Sequence, residues 1–447
     1  MRNGIVPGNP AVAWAAHDEP PVSELAILGG KPLIEAPLRP YPSMGVAEER
    51  ALLEVVRSGE LSGFYASPGD RFLGGPKVRA LEDAWCERYD VAQAVSMNSA
   101  TSGLIAAMGA VGIAPGDEVI VPPWTMSASV VAPLFYGGIP VFADIEEETF
   151  CIDPAAVRDR ITPRTRAIVA VNLFGHPARL AELRALADEN GIALVEDNAQ
   201  APLAAEGEQM AGTVGHIGVF SLNFHKHIHA GEGGVCVTGD AGLARRLRLI
   251  RNHGENVVEE WGETDISNMI GFNFRLTELG AAVALAQLAS IDEHVGRRER
   301  LARTLSEATA DLDGWLPPTV RQGCRHVYYA WVARLIPEKA GVARAAFARA
   351  LAAEGFPIAE GYVPPLYNLP LFRQRLAFGG DGYPFSLGAP DYAPGICPVA
   401  ERLQHSQALL FECCLHDIDQ ELAGRLAQAV VKVYRHRDEL RRLPEKD

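Results

Sequence analysis

No hydrophobic run in this chain is long enough to cross a bilayer. The first two dozen residues hold one short apolar stretch, AVAWAA, with proline on both sides; it is neither a membrane span nor the core of a secretory signal. The expectation is a cytoplasmic protein whose residues 1–24 form a mobile tail. Positive charge is also in short supply, with 41 Lys and Arg against 56 Asp and Glu and a formal net charge of −15. No basic cluster precedes the last helical stretch, which argues against a nucleic-acid partner or an anionic membrane surface. The seven cysteines are odd in number and contain no C-x-x-C pair, so neither a disulfide framework nor metal-ligand spacing is present and no metal is expected. Cys413 and Cys414 read as buried strand residues. Internal repeats and low-complexity segments are missing too, which favours an enzyme-like fold over a scaffold.

What is present is a chain of 447 residues, 48% hydrophobic and 22% charged, enough for one large domain and a smaller one. Helical spacing from Val46 to Ser58 is followed by a glycine-rich loop and a second helix opened by Pro76. From there strand and helix alternate with short turns: a strand at Gln93–Met97, then EVIVP, PVFADI, RAIVAVNLF and IALVEDNAQ with helices between. This is α/β architecture with a mainly parallel sheet. A long helical stretch ends the large domain near Asp292. The division expected is 25–292 for the large domain and 293–447 for a smaller α+β domain. The Pro- and Tyr-rich run from Gly361 to Pro394 is longer than a connection needs and is a candidate lid.

Chemistry concentrates between Gly218 and Asp240. A strand ending at Ser221 empties into a loop carrying Lys226 between His225 and His227, and the GEGG run lets the chain turn sharply into a second strand, GVCVT. Burial and neighbouring cations favour the neutral, nucleophilic form of a lysine, a part the two histidines are placed to play. In NSATSGL a strand turns into a helix whose free N–H groups at Ala100, Thr101 and Ser102 can hold a phosphate. In such sheets ligands sit beyond the carboxyl ends of strands, where Trp124, Asp197, Gln200 and Ser221 fall. An anion-binding helix start, an acid at Asp197, a hydroxyl at Ser221 and an amine at Lys226 are together what pyridoxal phosphate requires: an amine for its aldehyde, a carboxylate for its pyridine nitrogen, and donors for its phosphate.

With these motifs the sequence resembles the DegT/DnrJ/EryC1/StrS family of sugar aminotransferases, from LAILGGKPL through GPKVRALE, NSATSGL, PGDEVIVPPWT, VEDNAQA, FSLNFHKHIHAGEGG, RNHG and GFNFRLTELGAAVALAQL to CPVAERL. The resemblance implies the type I, aspartate aminotransferase-like fold and pyridoxal 5'-phosphate as cofactor. It makes Lys226 the Schiff-base lysine and Asp197 the partner of the pyridinium nitrogen. It puts Gln200 at the phenolic side of the cofactor, and Ala100, Thr101 and Ser221 at its phosphate. Asn273 matches an asparagine that relatives supply to the phosphate from the neighbouring subunit, so a homodimer with shared sites is implied. Two positions depart from the pattern: Met126 stands where relatives often stack an aromatic residue on the cofactor ring, and Tyr367 where many have histidine. The activity implied is transfer of an amino group from glutamate or glutamine to a keto-sugar, nucleotide- or phosphate-linked or not, with a keto-cyclitol as the alternative acceptor. A pyridoxamine phosphate-dependent sugar dehydratase, in which histidine replaces the lysine, and a catalytically silent binding protein on the same fold are the other readings.

Overall fold

The computed structural model describes residues 23–442; the tail expected over residues 1–24 lies outside the described residues except for Ser23 and Glu24. Numbering the helices of ten residues or more, the first part of the chain gives α1 Val46–Ser58, α2 Pro76–Tyr89 and α3 Ala100–Ala110. Then come α4 Leu180–Asn190, α5 Ala241–Arg251 and α6 Glu278–Ala289. The strands of the main sheet among them are β1 Gln93–Met97, β2 Glu118–Val121, β3 Ile139–Phe142, β4 Thr165–Val171, β5 Ala193–Asp197, β6 Ile217–Ser221 and β7 Gly234–Thr238.

These seven strands form one sheet in the order β1-β7-β6-β5-β4-β2-β3. Strands β2 to β5 are near-continuous apolar runs and nearly every residue in them is buried, as expected of parallel strands covered on both faces. Only β7 runs against its neighbours, antiparallel to both β1 and β6. Since β7 opposes both, β1 runs in the same direction as β6, and the end of β1 reaches the rim where β4, β5 and β6 end. That places the start of α3 beside Asp197 and Ser221. Gly234 makes the approach possible, because a Cβ there would lie 2.7 Å from Ala100 N and 2.8 Å from Ser99 O.

The C-terminal part adds α7 Ile291–Thr309, β8 Trp315–Leu316, β9 Ala330–Leu335, α8 Arg344–Ala353, β10 Ala359–Glu360, β11 Ala408–Glu412 and α9 Gln420–Arg435. Its antiparallel sheet, ordered β8-β9-β11-β10, packs on α7, α8 and α9 through Leu305, Trp315, Trp331, Phe347, Phe411, Leu426 and Val430. The long helical stretch read near Asp292 is two helices, α6 and α7, interrupted at Ser290.

Two segments pack away from the side of residue 292 on which they lie in sequence. Leu25 and Ile34 belong to the core of the C-terminal sheet, with Ala26 N and Leu33 N donating to the two carboxylate oxygens of Glu354 (2.9 and 3.1 Å). The run expected as a lid is built into the large domain instead: Leu366, Tyr367, Phe372, Phe385 and Tyr392 are all buried in its core. Three of these rings meet Phe142 edge-on, and the Tyr392 hydroxyl donates to Pro140 O at 2.8 Å. Aromatic burial of this extent fixes the segment in place. Cys413 and Cys414 are buried as read, but they follow β11 in a turn rather than lying within a strand.

Candidate active site

Asp197 closes β5 and is buried. Its Oδ2 accepts a hydrogen bond from Ser129 Oγ at 2.5 Å and its Oδ1 one from Ala199 N at 3.1 Å. Burial raises its pKa above the ordinary carboxylate value, and these two donors and the amine of Lys226 oppose that rise. Lys226 lies on the loop after β6 and lines the same cavity, of ≈170 Å³. Burial lowers its pKa, against the pull of Asp197, Cys414 and Glu412. A buried acid and a half-buried base thus face each other with their affinities for the proton brought closer together.

Ser221 ends β6; its Oγ accepts from Asn223 N at 3.2 Å and also lines the cavity. Ser99 caps α3 by accepting from Ser102 N at 3.0 Å. The Ser102 hydroxyl donates to Asn98 Oδ1 at 2.6 Å. The cap therefore consumes the Ser102 N–H expected to bind an anion, and Ala100 and Thr101, both lining the cavity, supply the free N–H groups of the first turn. Gln200 is held rigidly, its Oε1 accepting from Phe174 N (2.7 Å) and its Nε2 donating to the Tyr362 hydroxyl (3.2 Å). Met126, 56% exposed, stands on the cavity wall.

Other residues fall elsewhere. Trp124 is fully buried behind the wall, with its indole N–H donating to Gln404 Oε1 at 2.9 Å and its ring against Phe150, Phe174 and Tyr362. His225 lines the cavity, but His227 turns away, its Nε2 within 2.8 Å of Val327 O. Burial depresses both, to about 4 and about 3, so both are neutral near pH 7 and burial, not histidine charge, lowers the lysine. Tyr367 is buried against Phe142 and donates to Glu401 at 2.5 Å, away from the cavity. Asn273 is exposed and does not line its own chain's cavity; its Oδ1 accepts from Arg275 Nε at 2.8 Å.

Sequence reasoning missed Ser129, Tyr362, Asn223 and Tyr329, whose ring centroid lies 4.4 Å from Lys226 Nζ. Ser129 is one of two serines in TMSASVV, and nothing in that pattern singles out the one aimed at Asp197. Tyr362 and Tyr329 arrive from the C-terminal part of the chain, where only the tertiary fold brings them in.

The residues fit pyridoxal phosphate on the chemistry of the donor set. One cavity gathers free helix-start N–H groups, a serine hydroxyl, a buried carboxylate and an amine. The Oδ1 of Asn223, which also lines it, is buried without a partner.

Comparison with known proteins agrees. The model of the DegT/DnrJ/EryC1/StrS aminotransferase family matches residues 65–384. The L-glutamine:2-deoxy-scyllo-inosose aminotransferase of Streptomyces paromomycinus is 35% identical over 432 residues, covering 92% of this chain and 98% of that one. A UDP-N-acetyl-3-dehydro-alpha-D-glucosamine 3-aminotransferase of Acidithiobacillus ferrooxidans is 34% identical, with 80% of this chain and 89% of that one covered. Among solved structures, an aminotransferase from Psychrobacter cryohalolentis superimposes with a TM-score of 0.78 at 26% identity, over 90% of this chain and 100% of that one. The chain belongs to the DegT/DnrJ/EryC1/StrS aminotransferase family and is a pyridoxal phosphate-dependent aminotransferase.

Proposed function

We propose that the enzyme moves an amino group from L-glutamine to the ring ketone of a neutral keto-cyclitol. One observation carries the choice of acceptor: two relatives matched over 92% and 93% of this chain, at 35% and 36% identity, are L-glutamine:2-deoxy-scyllo-inosose aminotransferases. Their names also support glutamine as donor. The second reading, a nucleotide-linked keto-sugar, has support from the UDP-sugar aminotransferase.

When bound, the cofactor supplies an aldehyde and an electron-accepting ring. The roles proposed for this chain are these. Lys226 Nζ takes the proton from the α-carbon of the donor and later returns one, a task suited to an amine whose pKa is lowered by burial. Asp197, whose ionised form the Ser129 and Ala199 donors favour against burial, holds a proton on the pyridine nitrogen. Gln200 presents its amide to the phenolic oxygen. Ala100 and Thr101 N–H and the Ser221 hydroxyl hold the phosphate, and the Met126 thioether covers the ring face. Asn273 of a second copy completes the phosphate site in a homodimer. The cytoplasm is the proposed compartment, on the strength of seven cysteines none of which is bonded to another.

A panel of keto-cyclitols and nucleotide-linked keto-sugars, each offered with glutamine or glutamate, tests this reading. The expected result is kcat/KM highest for a keto-cyclitol with glutamine. A higher value for a nucleotide-linked sugar overturns the choice of acceptor.

A further inference from the structure

On the C-terminal side of the site an aromatic ring faces the reactive amine. Tyr329 is only 3% exposed, and its ring centroid lies 4.4 Å from Lys226 Nζ. The ring is held from both parts of the chain. Its carbonyl accepts from Cys413 N at 3.2 Å, and two residues earlier Val327 N donates to Gly175 O at 2.9 Å. Gly175 has φ +100°, and a Cβ there would lie 2.7 Å from Tyr328 N and 2.9 Å from Tyr329 N, so only glycine lets this segment lie so close.

Each element packed around Lys226 contributes a group to its charge balance. Asp197 comes from the large sheet, His225 and His227 from the lysine's own loop, and Glu412 and Cys414 from the end of β11. Both histidines are neutral near pH 7, and burial pushes the Cys414 thiol up so that it too is uncharged. Burial and Glu412 likewise hold the Tyr329 phenol neutral. The ring therefore exchanges no proton with the amine, yet its negative face attracts a cation. A carboxylate in its place would bind the ammonium more strongly and oppose return of the proton.

We infer that Tyr329 is the positioning residue of Lys226: its ring face holds the amino group whenever that group is not bonded to the cofactor, and it favours the protonated form that the lysine passes through between taking and returning a proton. The inference rests on the reading of Lys226 as the base of the transamination.

The test is a titration of Lys226 in the full-length protein after removal of cofactor, by pH-dependent acylation read on the Lys226 peptide by mass spectrometry. Tyr329→Leu is expected to lower the midpoint by about one pH unit, and Tyr329→Phe, which keeps the ring, to leave it in place. Pentafluorophenylalanine at position 329 keeps the shape and reverses the charge of the face; it is expected to lower the midpoint as leucine does, and serves if the leucine variant does not fold. In the loaded enzyme the pH dependence of kcat moves in the same direction. A leucine or pentafluoro variant that titrates as wild type overturns the inference, as does a phenylalanine variant that falls as far as leucine, since the effect would then run through the hydroxyl. The titration needs no turnover, so its failure is separate from failure of the aminotransferase reading.

Discussion

Ser129 donates its hydroxyl hydrogen to Asp197 Oδ2 at 2.5 Å, joining the helical turn after Met126 to the end of β5. Of the groups that oppose the burial-driven rise in the pKa of Asp197, this hydrogen bond is the largest. Ser129→Ala removes it and leaves a buried carboxylate one donor short, a loss of about 1.5–3 kcal/mol for a charged partner. The ionised form is the active one, so a further rise in its pKa means activity is lost at a higher pH on acidification. The expected result is a kcat reduced roughly tenfold or more, with the acid limb of its pH profile moved upward. An unmoved limb removes Ser129 from the account.

Asp197→Asn keeps the shape but not the charge. Its expected phenotype is cofactor retained and turnover reduced by orders of magnitude, because an amide does not hold the ring nitrogen protonated. Absorbance of the bound cofactor and kcat, measured on one preparation, separate the two quantities. Normal turnover with cofactor bound makes Asp197 a structural cap.

Acid sensitivity follows from two buried histidines. His176 Nε2 accepts from Arg321 N at 3.1 Å and His227 approaches Val327 O at 2.8 Å, and burial depresses them to about 4 and about 3. Both folded pKa values lie below the unfolded value of about 6.5, so the unfolded chain binds more protons as acid is added. The stability they contribute is complete above about pH 6.5 and is lost as pH falls from there toward the folded values. At about pH 5 that is roughly 2 kcal/mol for each group. Urea titrations between about pH 5 and 8 are expected to show this slope in wild type and a shallower one in His227→Asn. Equal slopes contradict the assignment.

The proposed sharing of sites between subunits is tested by mixing. Lys226→Ala and Asn273→Asp chains are each expected to be inactive. In a mixed dimer both lesions fall in one site and leave the other whole, so activity returns to at most about half per dimer. No recovery in a mixture shown to exchange subunits means that Asn273 does not serve its neighbour's site.

The parallel sheet, its strand ends and the loop carrying Lys226 were legible because strand periodicity, apolar runs and glycine turns are local signals. Ser221 ends its strand where the pattern said, and Gly234 begins the next. What was not legible depends on contacts distant in sequence. The run around Tyr367 looked like a lid because its length and prolines say nothing of Phe142, against which it packs. Ser102 looked like an anion donor because its sequence does not reveal that Ser99 takes the N–H. The histidines beside Lys226 looked like cations because burial, which keeps them neutral, is a property of the fold.

Lys226 is the residue proposed to bond to the cofactor. Borohydride reduction of the protein loaded with pyridoxal phosphate, followed by peptide mass mapping, tests it most directly. Loss of the visible absorbance is expected, with one pyridoxyl-phosphate mass increment on the Lys226 peptide that is absent from Lys226→Ala. An increment on another lysine, or none in a protein that aminates ketones, contradicts it.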